Sequence, residues 1–449
     1  RPIQFFLKII KEDAQTHLPV LNNHAQYKIY DVKKKEYVTM KVRYPEEKEL
    51  DVFETNDEGY LMTPEQLKMG TYRIEEVKAP DLYVQPGYEM ALKDGESDIP
   101  LNQLSQTGAY EDAKRDSITI TVNSETAYEV EEETGKYIVV VRQQNDEAVG
   151  SLTIKKTGEV LVGAKNVEDS LLTKMKNGIA GTINSISEFF GKEEVIEEDS
   201  GYMFQYEKKG AEGITFEVYA KETIYTPDGQ KDEAGNRKVL YEKDGLVAKL
   251  VTGKEGTVSL HNLPIGSYYP KETDVGNHHF VLDPEAKEFE IKYQGQEVAV
   301  DYVSMELENK RQKIELVLTK LSKETKEPVQ AAVFGLYAEE DIVDLADNVL
   351  IESGTLIAKT ESAEDGSIRF DVDLPHGKYL VKELEAAPGY LKTEDTWSFD
   401  ATYQNPELEV ITLTKEIENQ PTVVEITKTD ITDEKEVEGA KLQDRKSVV

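Results

Sequence analysis

The chain has no cysteine, a single tryptophan, six histidines and no apolar run near the roughly 20 residues that a membrane-crossing helix needs. Without cysteine, no disulfide can staple its domains. Basic residues are also short: 53 Lys and Arg stand against 88 Asp and Glu, a formal net charge of −35. Such a charge repels phosphate backbones and anionic lipid heads, which argues against nucleic-acid or membrane-surface partners and suits plain solubility. No Ser/His/Asp or Cys/His arrangement, P-loop or dinucleotide glycine motif stands out, so a turnover enzyme and a bound cofactor are not expected. The 449 residues suffice for about three domains of ordinary size.

What is present is a repeat. Four alternating segments end in Lys: Leu7 to Lys11, Leu152 to Lys156, Leu316 to Lys320 and Val424 to Lys428. On a strand, residues i, i+2 and i+4 share a face, so each Lys points inward with two aliphatic side chains. An inward lysine is an anomaly, since Lys is almost never fully buried unless it is paired. An aromatic strand follows at Tyr27 to Tyr30, Phe216 to Tyr219 and Phe334 to Tyr337. Next come the boxes Leu263-Pro264-Ile265-Gly266-Ser267-Tyr268 and Leu374-Pro375-His376-Gly377-Lys378-Tyr379, with Leu67 to Tyr72 in the first repeat carrying Lys68 in place of Pro. They lead to Glu272, Glu383 and Glu76, each on the inward face of a strand. A last strand leads to Asn145, Asn309 and Asn419. The first repeat offers Gln143 and Gln144 as competing carboxamides.

The step from each Asn to the next Lys is 11, 11 and 9 residues, which leaves short linkers and predicts a stiff rod. The boundaries read as 1–149, 150–311, 312–421 and a truncated fourth repeat at 422–443. Residues 444–449 break the pattern and read as a non-native tail, and the chain as a fragment of something longer. Within the second repeat an insert spans about 163–210, where Val167, Leu171, Leu172, Met175, Ile179, Ile183, Ile186 and Phe190 recur at spacings of three and four. That period predicts an amphipathic helix. In the first repeat, a surplus near Lys93 to Ser117 reads as polar loop or a small added hairpin.

Burial together gives the three groups a chemistry. Desolvation favours the neutral forms of an amine and of a carboxylic acid. A neutral amine is a nucleophile, and a neutral acid can polarise a carboxamide and pass a proton to departing ammonia. Contact between the groups supplies an effective molarity on the order of 10⁵ M or more. The product is a Lys–Asn isopeptide bond made once per site, tying the first strand of a repeat to its last.

On Lys156-Thr157-Gly158-Glu159, the Leu-Pro-x-Gly-x-Tyr-x-x-x-Glu boxes, Phe334-Gly335-Leu336-Tyr337 and Lys428-Thr429-Asp430 with Glu438-Gly439-Ala440, the chain resembles tandem Cna B-type domains, also called SpaA-like prealbumin-fold domains, of Gram-positive surface proteins. The resemblance covers nearly the whole chain. It implies all-β sandwiches of about seven strands, intramolecular isopeptide bonds, sortase-mediated display on the cell wall, and roles as adhesin stalks or pilin subunits. It assigns Lys11, Lys156 and Lys320 as amines, Asn145, Asn309 and Asn419 as acceptors, and Glu76, Glu272 and Glu383 as catalysts. No LPxTG-like sorting signal appears in the sequence.

Other sites compete less well. Tyr269-Pro270-Lys271 resembles part of a pilin motif, but Lys271 adjoins Glu272 and should face outward. Asp228, Asp232 and Asn236 could ligate calcium, yet their spacing does not follow an EF-hand and a plain hairpin loop is the simpler reading. His278 and His279 are adjacent and should face opposite sides of a strand. A covalently locked extracellular stalk is the expected function, with binding of a host protein or glycan, or sortase polymerisation as a pilin, as alternatives.

Overall fold

The computed structural model describes residues 4–86, 117–168 and 200–423, and beyond those 426–432, 435, 437–439 and 441. Every regular element among the described residues is a strand. The chain divides into two compact units, Arg1–Gly158 with Lys208–Lys310, and Glu159–Glu207 with Arg311–Val449.

The first unit holds two sandwiches. In the first, the opening strand Gln4–Asp13 buries Phe5, Leu7, Ile9 and Lys11 while the residues between them are half-buried. This period-two burial is the reason the segment is a strand and the reason its Lys faces the core. One sheet runs in the order Glu129–Val130, Tyr137–Asn145, Gln4–Asp13, Tyr60–Met62. The other runs Ser117–Val122, Gly70–Lys78, Gln26–Asp31, Glu36–Tyr37. Phe5, Leu7 and Ile9 from one sheet pack with Tyr27, Ile29, Tyr72 and Ile74 from the other. The second sandwich repeats the plan, with Val149–Glu168 flanked by Thr257–Pro264 and Val300–Asn309, and a second sheet Leu246–Val251, Thr215–Ala220, Gly266–Asp274, Phe289–Ile291.

Several contacts join these two sandwiches. The Leu21 amide donates to the Asp228 carbonyl at 2.8 Å, and the Gln85 amide to the Gln296 carbonyl at 2.8 Å. The Gln230 carboxamide donates to the Pro19 carbonyl at 2.7 Å, and the Tyr293 hydroxyl to the Tyr83 carbonyl at 3.1 Å. Val84, Ala148 and Ala299 form a small apolar cluster there. Asp228, a calcium candidate by sequence, is buried at this joint and accepts from the Thr16 hydroxyl at 3.1 Å.

In the second unit, one sheet is Ser367–Ile368, Lys313–Ser322, Val410–Asn419 and the other Leu356–Glu361, Val333–Ala338, Lys378–Glu385, Thr396–Asp400. Its core takes in Phe204, with Leu161, Ala164, Tyr202 and Tyr206 packed against it. Both described ends of the insert expected over 163–210 are therefore strand, and the helix expected within it, from Val167 to Phe190, is corrected at Val167. Residues through Glu168 extend the strand Val149–Glu168, so Val167 is a strand residue, and Ser200–Gly210 is its strand neighbour. Tyr202, Phe204 and Tyr206 alternate with exposed Met203, Gln205 and Glu207, a period of two rather than 3.6. The remaining helix positions, Leu171 to Phe190, lie outside the described residues, as does nearly all of the surplus at Lys93 to Ser117. Of the fourth opening segment, Val424 and Glu425 also lie outside them, and Ile426 to Lys428 are not in a strand.

Candidate functional site

In all three sandwiches the opening and closing strands pair in parallel, with one register. The Cα partner of each Asn is the residue two beyond the Lys: Asp13 for Asn145, Gly158 for Asn309 and Ser322 for Asn419. Lys and Asn thus lie diagonally across the same inward face. The Glu comes from the opposite sheet, where Glu76, Glu272 and Glu383 pair with Tyr27, Phe216 and Phe334 of the aromatic strand. The three lysines are 0% exposed, and the Glu and Asn side chains are buried with them.

In the first sandwich, Lys11 Nζ meets Asn145 Oδ1 and lies 2.9 Å from Glu76 Oε1. Asn145 Nδ2 donates to Glu76 Oε2 at 2.9 Å. Of the three rival carboxamides, geometry brings Asn145 to the lysine. Gln144 is exposed and bonds His17 and Glu12, while Gln143 is buried with neither carboxamide atom hydrogen-bonded. In the second, Lys156 Nζ is 2.8 Å from Glu272 Oε2, and Asn309 Nδ2 donates to Glu272 Oε1 at 2.9 Å. In the third, Asn419 Nδ2 reaches both oxygens of Glu383, at 2.6 and 2.8 Å. Burial pushes the Lys320 amine down to about 8, although Glu383 and Glu418 pull the other way. A neutral amine is therefore accessible near physiological pH in the third site.

Two recurring features near the lysines have no counterpart among the motifs above. A turn glycine in the left-handed region, Gly59, Gly256 or Gly366, offers its carbonyl to the backbone amide of Lys11, Lys156 or Lys320 at 2.7–2.8 Å. Four residues earlier, a buried Thr55, Thr252 or Ser362 accepts from the amide of Ala25, Ile214 or Ala332 at 2.9–3.0 Å. The signal was there as hydroxyl-x-x-x-Gly in each repeat. A Cβ on Gly366 would fall 2.6 Å from the Lys320 carbonyl oxygen. Gly366→Ala should accordingly cost about 2–4 kcal/mol, from left-handed strain plus that clash, read by denaturant unfolding.

The other sequence candidates stand apart. Lys271 is exposed and follows the outward face. Asp232 accepts from the amides of Ala234 and Asn236 within its own turn. His278 stacks on Phe280 and bonds the Glu212 carbonyl.

The sequence matches the SpaA prealbumin-like fold domain three times, over residues 6–103, 205–305 and 314–416. No curated protein sequence matches the chain. Among solved structures, the Bacillus anthracis TIE protein is similar at 19% identity, with 93% of this chain and 50% of that one covered and a TM-score of 0.48. BcpA, the major pilin subunit of Bacillus cereus, is similar at 13% identity, covering 94% of this chain and 100% of its own, with a TM-score of 0.32. GBS52, the minor pilin of Streptococcus agalactiae, is similar at 17%, covering 63% and 100%, with a TM-score of 0.20. The chain spans half the length of the Bacillus anthracis protein.

Proposed function

The chain belongs to the family of SpaA prealbumin-like fold domains, and from that membership we propose that it is part of a structural stalk whose repeats are each locked by an autocatalytic Lys–Asn isopeptide bond. The repeats are taken as 1–149, 150–311 and 312–421. Lys11, Lys156 and Lys320 supply the amines, Asn145, Asn309 and Asn419 the acyl groups, and Glu76, Glu272 and Glu383 the acid–base catalysis. The observation that supports this best is that the three trios are buried at one shared register.

The reaction begins with the lysine ammonium passing a proton to the Glu carboxylate. The neutral Nζ attacks the Asn side-chain carbonyl carbon, Cγ, and a C–N bond forms. Glu gives its proton to Nδ2 and collects the proton lost by the attacking nitrogen. The Cγ–Nδ2 bond breaks and ammonia leaves. Each site reacts once, so the protein is no turnover catalyst. The setting proposed is extracellular, on a Gram-positive cell wall, with sortase acting through other parts of the protein.

Intact mass tests the reading. Three bonds expel three ammonias, so the folded chain should weigh about 51 Da less than its sequence. An unshifted mass would sink the proposal.

A further inference from the structure

The three sites are not chemically equal. At the aromatic position facing the Glu, the second and third sandwiches carry Phe216 and Phe334, whereas the first carries Tyr27 at the same register. Tyr27 is fully buried and donates its hydroxyl to Glu76 Oε1 at 3.3 Å, the same oxygen that lies 2.9 Å from Lys11 Nζ. Phenylalanine cannot make that bond.

Resting on the isopeptide reading above, we propose that Tyr27 is a positioning residue that slows bond formation in the first sandwich by stabilising Glu76 as an anion. Bond formation needs Lys11 to hand a proton to Glu76. A hydrogen bond to the charged form of a carboxylate opposes that transfer. Tyr27 remains a donor throughout, because burial first, then the charge and hydrogen bond of Glu76, raise its hydroxyl well above the usual phenol range. Its proposed effect runs through Glu76, to which its hydroxyl donates. The consequence is an order of events: the second and third repeats lock before the first.

The experiment is a pulse of cell-free synthesis of the full chain, quenched at intervals, digested, and scored for cross-linked peptides containing Lys11–Asn145, Lys156–Asn309 and Lys320–Asn419. The expected result is that Tyr27→Phe speeds the first bond by about three- to tenfold, the worth of one hydrogen bond, and leaves the other two unchanged. Phe216→Tyr should slow the second bond by a similar factor and leave the first alone. Equal rates for Tyr27→Phe and wild type, or a slower first bond in the variant, would overturn the role of Tyr27 while the second and third bonds still form. Absence of all three cross-linked peptides would instead overturn the isopeptide reading itself. Melting curves of the two variants check that packing is kept, since a purely structural effect would shift them without the site-specific change in rate.

Discussion

Glu383→Ala should show a mass deficit about 17 Da smaller than that of wild type, each chain weighed against its own sequence, and should be less stable at its third site by about 5 kcal/mol. The mass change is the ammonia that is not expelled. The stability change follows from loop entropy: a bond from Lys320 to Asn419 closes a loop of roughly 100 residues, worth about 4.7 kcal/mol by analogy with a disulfide. For a sandwich of this size that corresponds to a melting temperature lower by roughly 20 °C. A rival explanation predicts part of the same loss. With Glu383 gone, Lys320 stays fully buried without the charge of that carboxylate, and an uncompensated buried charge can cost about 3–5 kcal/mol. The mass separates the two. A destabilised variant with the same mass deficit as wild type would mean that the Glu matters only as a counter-charge. Lys320→Met gives a second control, because it removes bond and buried charge together and should recover part of the lost stability while still lacking the deficit.

The stability of the first unit should fall as pH rises from about 5 to 9, and Glu147→Gln should flatten that slope. Glu147 follows the closing strand and forms a β-bridge with Tyr83. Asp13, Asp146, Asp228 and the Tyr83 hydroxyl surround it, and Asp228 comes from the second sandwich. Burial first, then hydrogen bonding to Asp13 and the charges of Asp13, Asp228 and Asp146, push its carboxyl from 4.5 up to about 8. The folded state therefore holds a proton between these values that the unfolded chain has released. Stability is fully present below about 4.5, declines through that window and levels off above 8. Glu147 is only partly buried, and solvent screening reduces the effect to about 1–2 kcal/mol. Melting curves at half-unit pH steps would read it. A slope of equal size in wild type and Glu147→Gln would show that other groups carry the dependence.

Much of the site was legible because two strand faces state it. Lys11, Lys156 and Lys320 end alternating segments, and Glu76, Glu272 and Glu383 lie four residues past a Tyr, so period-two reasoning sends both inward. The resemblance assigned Asn145 over Gln143 and Gln144; strand periodicity gave no preference among three successive carboxamides, and the parallel register is what lays Asn145 opposite Asp13, two residues beyond Lys11. The insert misled for a different reason. Val167 fits a spacing of three and four, but pairing with Ser200–Gly210 decides its conformation, and tertiary pairing overrides a local period. Asp228 looked like a loop residue because nothing local says that a neighbouring sandwich will bury it.

The parallel pairing of opening and closing strands has a mechanical meaning. A pull on the ends of a repeat would enter at the start of its first strand and leave at the end of its last. Because the two strands run the same way, opposed pulls slide them past one another, so the ladder from Phe6↔Ile138 to Asp13↔Asn145 is strained in shear and not peeled rung by rung. Lys11 and Asn145 lie at the far end of that ladder, where the load would cross from one strand to the other. A bond there makes the load path run along one strand, across one side-chain bridge and out, leaving the rest of the repeat under little tension.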